Sequence, residues 1–82
     1  MATIYFSSGL AAYTGGVDSL TVDAPRVHEL IQTVLERFPA LQEPLEIMAV
    51  AVDGQVHQQP DYIPLTSKSE VYLVPRIAGG GH

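Results

Sequence analysis

The sequence predicts an α+β fold in which a mixed sheet of about five strands packs on one amphipathic helix. Three observations carry that expectation: an apolar stripe at helical spacing between Val27 and Phe38, several short segments that alternate polar and apolar residues, and an Asp-Gly pair between two of them. Residues 3–7, TIYFS, alternate with period two, so that Ile4 and Phe6 share one face and Thr3, Tyr5 and Ser7 the other. A second strand is expected at 18–23, with Leu20 and Val22 facing inward. LAAYTGG between them reads as a longish hairpin loop ending in a glycine turn.

Val27, Leu30, Ile31, Val34, Leu35 and Phe38 then fall at i, i+3, i+4, i+7, i+8 and i+11. Asp23 or Ala24 is the expected N-cap, with Pro25 in the first turn and Pro39 closing the far end. Residues 39–46 read as irregular. Asp53-Gly54 marks a type I′ hairpin turn, with Met48, Val50 and Val52 inward and Ile47, Ala49 and Ala51 outward. Residues 58–70 read as a loop with a short turn at Pro64-Leu65. The last strand, 71–77, turns Val71 and Leu73 inward and Tyr72 and Val74 outward, and Pro75 belongs at its end or edge. One helix must bury its stripe on one sheet face, which gathers Ile4, Phe6, Leu20, Val22, Leu30, Ile31, Val34, Leu35, Val50, Val71 and Leu73 into a single core.

Composition narrows the function. With 82 residues, 46% of them apolar and 16% charged, the chain supports one folded domain with a real core. Nine acidic residues against four Lys and Arg give a net charge of −5, the wrong sign for phosphate backbones or anionic lipid, so neither nucleic acid nor membrane is an expected partner. The absence of cysteine excludes thiol chemistry and a disulfide framework. No signal peptide or spanning segment is legible, and a cytoplasmic location is expected.

Searching for catalytic chemistry finds little. His28, His57 and His82 are scattered, so no metal site is expected, and Ser7-Ser8-Gly9 lacks the frame of a hydrolase nucleophile. AGGG lacks the spacing of a phosphate loop. The ending VPRIAGGGH is what remains. Consecutive glycines cost backbone entropy and bury nothing, yet a chain without Cβ atoms can thread a channel too narrow for side chains and deliver a carboxylate to another protein's active site. A simple floppy terminus is the competing explanation.

SEVYLVPRIAGG resembles the C-terminal signature of the MoaD/ThiS sulfur carriers. IYFSSGLAAYTGG resembles the family's first strand and loop, SLTVDAPRVHELIQTVLERFP its second strand and helix, MAVAVDGQV its central hairpin and PLTSKSEV the turn before its last strand. The resemblance implies a ubiquitin-like β-grasp over residues 1–76, with first and last strands side by side and parallel, and a flexible glycine-rich tail over 77–82. It implies a carrier that is not itself an enzyme and binds no cofactor. It implies that the glycine terminus is adenylated by a ubiquitin-activating-like, ATP-using enzyme and converted to a thiocarboxylate for cofactor or metabolite biosynthesis, molybdopterin among the candidates. Gly79 and Gly80 align with the family's terminal Gly-Gly, with Gly81 as the other candidate terminus. Tyr72, Val74, Pro75, Arg76, Ile77 and Ala78 are the expected partner-binding residues. A molybdopterin synthase large subunit or another sulfur-acceptor enzyme is a second implied partner.

Two departures shape the expectation. Gly81 and His82 follow the Gly-Gly, which implies trimming by a metalloprotease before Gly80 carries a free carboxylate. Arg76 stands where carriers often have proline, which resembles ubiquitin's own tail and leaves a protein-modifier role open, Lys68 being the only lysine. A purely structural β-grasp module is the third reading.

Overall fold

β-branched and aromatic residues dominate the strands of the computed structural model, which describes residues 1–57 and 60–75. β1 (Ala2–Tyr5) and β2 (Ser19–Val22) pair antiparallel, β3 (Met48–Val52) pairs antiparallel with both β4 (Gln55–His57) and β5 (Glu70–Pro75), and β1 lies parallel to β5. The sheet order is therefore β2-β1-β5-β3-β4. The expected parallel pairing of first and last strands is present, in the register Thr3–Glu70, Ile4–Val71 and Tyr5–Tyr72.

The helix spans Val27–Arg37 and buries Val27, Leu30 and Val34 completely, while Ile31, Leu35 and Phe38 pack at the margin. Its N-cap differs from expectation. Arg26 occupies that position in extended conformation, and no side chain caps the helix. Instead Val27 N donates to Ile63 O at 3.0 Å and His28 N to Asp61 O at 3.0 Å, while Leu65 N donates to Pro25 O at 2.8 Å. The segment 60–65 is thus a strap tied across the helix start by an Arg26–Pro64 bridge, rather than a turn centred on Pro64-Leu65. Backbone carbonyls from a distant segment satisfy donors that a local Asp would otherwise take.

Two stretches expected to be irregular are helical. A 3₁₀ turn at Ser8–Leu10 leads into α1 (Ala11–Thr14), which Gly15 ends at φ 68°, a left-handed cap that glycine adopts without a Cβ penalty. A second 3₁₀ turn at Pro39–Leu41 leads into α3 (Gln42–Glu46), α2 being the long helix. Leu10 and Leu41 from these turns are buried and plug the ends of the core. Phe6 meets Phe38 edge to face with ring centres 5.7 Å apart, which closes the core below α2. Every residue expected in the core is buried or packed against it.

The Asp53-Gly54 turn has both residues at positive φ, 50° and 87°, as a type I′ turn requires. Asp53 also clamps β5: its N donates to Glu70 O and its Oδ1 accepts from Glu70 N, both at 2.9 Å. Ser69 is buried just before β5, where its Oγ accepts from Thr66 N at 2.8 Å and its carbonyl accepts from Thr3 N at 3.1 Å. The start of β5 is therefore fixed from both neighbouring strands.

Leu30→Ala should destabilise the fold by about 2–5 kcal/mol and Leu35→Ala by less, because only the first site is sealed; urea midpoints measure the difference. Asp53→Ala removes an acceptor and puts alanine at positive φ, so a loss of about 1–3 kcal/mol is expected, with Asp53→Asn close to neutral. Equal losses for the two variants would mean that the clamp depends on charge.

Candidate functional site: the outer sheet face and the root of the tail

Because β1 and β5 run parallel, both leave the sheet at the same pole, and the antiparallel β3 enters there, with Met48 paired to Pro75. The chain beyond Pro75 therefore starts between the end of β1 and the start of β3. Arg76, Ile77, Ala78, Gly79, Gly80 and Gly81, all named as site residues from the sequence, lie outside the described residues, as does the expected tail segment 77–82. Pro75 is described by its backbone alone.

The face of the sheet opposite the helix is built by alternation. Register places Tyr5 beside Tyr72, Tyr72 beside Ala51, Val74 beside Ala49 and Ala51 beside Val56. The Tyr5 and Tyr72 rings stack with centres 4.8 Å apart and planes 17° from parallel. Adjacent parallel strands bring two like side chains directly alongside each other, and offset stacking is a favourable way to fill that spacing. Burial against the stack raises the Tyr72 hydroxyl above the ordinary tyrosine value, with the Glu70 carboxylate and Tyr5 adding to the effect, so Tyr72 presents a neutral phenol.

Ala49 and Ala51 were expected to face outward, and register agrees, but both are buried, at 4% and 8% exposure. Their methyls form a low floor flanked by Tyr72 and Val74 on one side and Val56 on the other. Val56 is 61% exposed and Ile47, immediately before β3, is 71% exposed. The result is an apolar surface running down to the root of the tail, edged by Thr3, Thr21 and Glu70. Exposed apolar area of this kind, with aromatics at its centre, has the composition of a protein-docking surface.

The sequence placed Tyr5, Ile47, Tyr72 and Val74 outward and assigned no facing to Val56. The signal for Tyr5 was available, since alternation in TIYFS already set it outward; its pairing with Tyr72 needed the parallel register. Arg26 grips Glu29 through a forked ion pair, Nη2–Oε2 2.7 Å, at the exposed start of α2, and that hydrogen bond holds the Glu29 carboxyl below the usual range. On the helix side a recess of about 200 Å³ opens among Ile31, Leu45, Met48, Val50, His57 and Asp61. Among the described residues no group of His, Cys, Asp or Glu is arranged to hold a metal ion, and no helix is long and apolar enough to cross a membrane.

No protein-family model matches the chain. In sequence it is 35% identical over 52 residues to the molybdopterin synthase sulfur carrier subunit of Caenorhabditis elegans, an alignment covering 63% of this chain and 62% of that one, less than two thirds of the relative's length. In structure it superposes with a TM-score of 0.81 at 20% identity on a chain of the Amycolatopsis orientalis BexX/CysO complex, covering 98% of this chain and 100% of that one. SAMP1 from Haloferax volcanii matches with a TM-score of 0.73 at 18% identity, covering 96% and 98% of the two chains. The strand order, the parallel β1–β5 pair and the single long helix are those of a ubiquitin-like β-grasp, and over 52 residues the sequence is similar to that of a molybdopterin synthase sulfur carrier subunit.

Proposed function

We propose that this protein is a sulfur carrier in cofactor or metabolite biosynthesis, with Gly79-Gly80 as the carrying end. The observation that supports it most is the sequence match to a molybdopterin synthase sulfur carrier subunit in a chain whose sequence has Gly79-Gly80 shortly after its last strand. In this reading a ubiquitin-activating-like partner uses ATP to convert the Gly80 carboxylate to an acyl-adenylate. AMP is a far better leaving group than hydroxide, so sulfide sulfur can displace it to give a thiocarboxylate. Residues beyond Gly80, here Gly81 and His82, must first be removed, by a metalloprotease in the simplest scheme. The acceptor is a molybdopterin synthase large subunit or a related enzyme. The outer sheet face, centred on Tyr72 and Val74, docks the activating partner while Pro75, Arg76, Ile77 and Ala78 lead the chain into its active site.

A second reading, a protein modifier joined to lysines of other proteins, is favoured by Arg76 and by the likeness to SAMP1, which at 18% identity concerns fold alone. The two differ in product: a thiocarboxylate on the free chain, or an amide to another protein.

Incubating the 82-residue chain and a version ending at Gly80 with ATP, sulfide and the cognate ubiquitin-activating-like adenylating enzyme should exchange one carboxylate oxygen for sulfur in the shorter chain only, read by intact mass. Equal conversion of both chains would overturn trimming, and conversion of neither would overturn the carrier reading. Tyr72→Ala should raise the KM for the carrier at least about tenfold with kcat little changed, because the phenol contacts the partner far from the reacting carbonyl. A fall in kcat at unchanged KM would place Tyr72 in the chemistry instead.

A further inference from the structure

An activated acyl group at the tail is at risk from the carrier's own nucleophiles, and their distribution in this chain is uneven. There is no cysteine, and among four cationic side chains three are arginine, which stays protonated and is a poor acyl acceptor. The one lysine, Lys68, sits exposed in the Thr66–Ser69 turn, its N donating to Thr66 Oγ1 at 3.2 Å. That turn precedes β5, whereas the tail follows it. The six residues of β5 separate the two by about 16 Å at ~3.3 Å per residue, before the turn itself is counted. β1 enters the sheet beside the same turn, Thr3 N donating to Ser69 O, so the parallel pair sets Lys68 at the end of the sheet where both strands begin.

We infer that the fold protects its own activated terminus: the parallel β1–β5 pairing holds its one lysine, Lys68, at the pole opposite the tail's root, and the sequence from Pro75 to Gly80 contains no lysine or cysteine. The five residues from Pro75 to Gly80 span at most about 17 Å. Reaching Lys68 in the same molecule, even with the lysine side chain extended toward the tail, takes a nearly extended chain folded back along β5, where the effective concentration of the acyl group is low. Ile47 is the contrasting position. It adjoins Met48, the partner of Pro75, and is 71% exposed, so an amine placed there stands within easy reach. Of the histidines of the described residues, His28 stands at the start of α2, while His57 pairs with Val50 and lines the recess with Met48, so it lies at the tail's pole on the helix side and is neither an amine nor a thiol.

The reaction avoided is aminolysis: the amine nitrogen attacks the activated carbonyl, AMP departs with the C–O bond electrons, and a proton is released as a lariat amide forms. The inference draws its relevance from the carrier reading, yet its test needs no partner. The chain through Gly80 can be made as a C-terminal thioester by intein cleavage in four forms: unchanged, Lys68→Arg, Ile47→Lys and Glu46→Lys, the last two at exposed positions. At mildly alkaline pH and low micromolar concentration, the unchanged and Lys68→Arg chains should lose the thioester at the same rate and give the free acid. The two added lysines should shorten its lifetime at least about tenfold and give a product one water lighter than the acid. A water-lighter product from the unchanged chain that disappears in Lys68→Arg would overturn the inference, as would thioesters equally long-lived in all four chains. Failure of enzymatic sulfur transfer, by contrast, would overturn the carrier reading and leave this result standing.

Discussion

The parallel pairing of β1 with β5 is the interaction on which the rest of the molecule depends. Parallel neighbours cannot be joined by a tight turn, so the chain between them must cross over, and here it carries β2, α2 and the β3–β4 hairpin on the way. That crossover lays α2 across one face of the sheet and leaves the other bare. Parallel register also sets Tyr5 directly beside Tyr72, which no antiparallel arrangement of these residues would guarantee. Polarity follows from the same bonds: the Thr66–Ser69 turn and the entrance of β1 share one pole, and the root of the tail occupies the other.

Holding that pairing in register requires both ends of the strands to be fixed. Ser69 and Asp53 do this at the start of β5, the first through Thr3 N and the second through both backbone groups of Glu70. The two side chains add acceptors that an apolar residue would lack, Ser69 Oγ for Thr66 N and Asp53 Oδ1 for Glu70 N. The helix is held by similar means. Its first donors are taken by carbonyls of the strap 60–65, so the long loop of the sequence is a structural tie rather than slack. Small domains have few contacts to spare, and here backbone polar groups of distant segments complete what the short apolar core begins.

Much of this architecture was legible in the residues. The stripe from Val27 to Phe38, the Asp53-Gly54 turn and the alternation in TIYFS are local signals, and each gave its element and its facing. The misses were non-local or too short for periodicity. Arg26 as N-cap could not be read because the groups that satisfy the helix start lie more than thirty residues away in sequence. α1 and α3 are single turns of four and five residues, below the length at which a 3.6-residue repeat can show itself. Ala49 and Ala51 were assigned to the correct face, but their burial depends on larger side chains across the register, which alternation alone does not reveal. The outward facing of Tyr5, Tyr72 and Val74 was legible from alternation, but that they share one surface with Val56 emerges only once the strands are ordered.

In the carrier reading, the contact surface and the reacting atom are separate by construction. The outer face is rigid: its alanine floor is sealed and its tyrosines are stacked, so little side-chain entropy remains to be lost when a partner covers it. The carbonyl that reacts lies five residues past Pro75, the last paired strand residue, whose register partner is Met48. Binding energy gathered on the face is therefore the same before and during acyl transfer, and it lowers KM without lowering the chemical barrier. The barrier must be lowered where Gly80 enters the partner. Such a division suits a carrier that visits more than one enzyme, because one face can dock successive partners while each supplies its own chemistry to the same short arm.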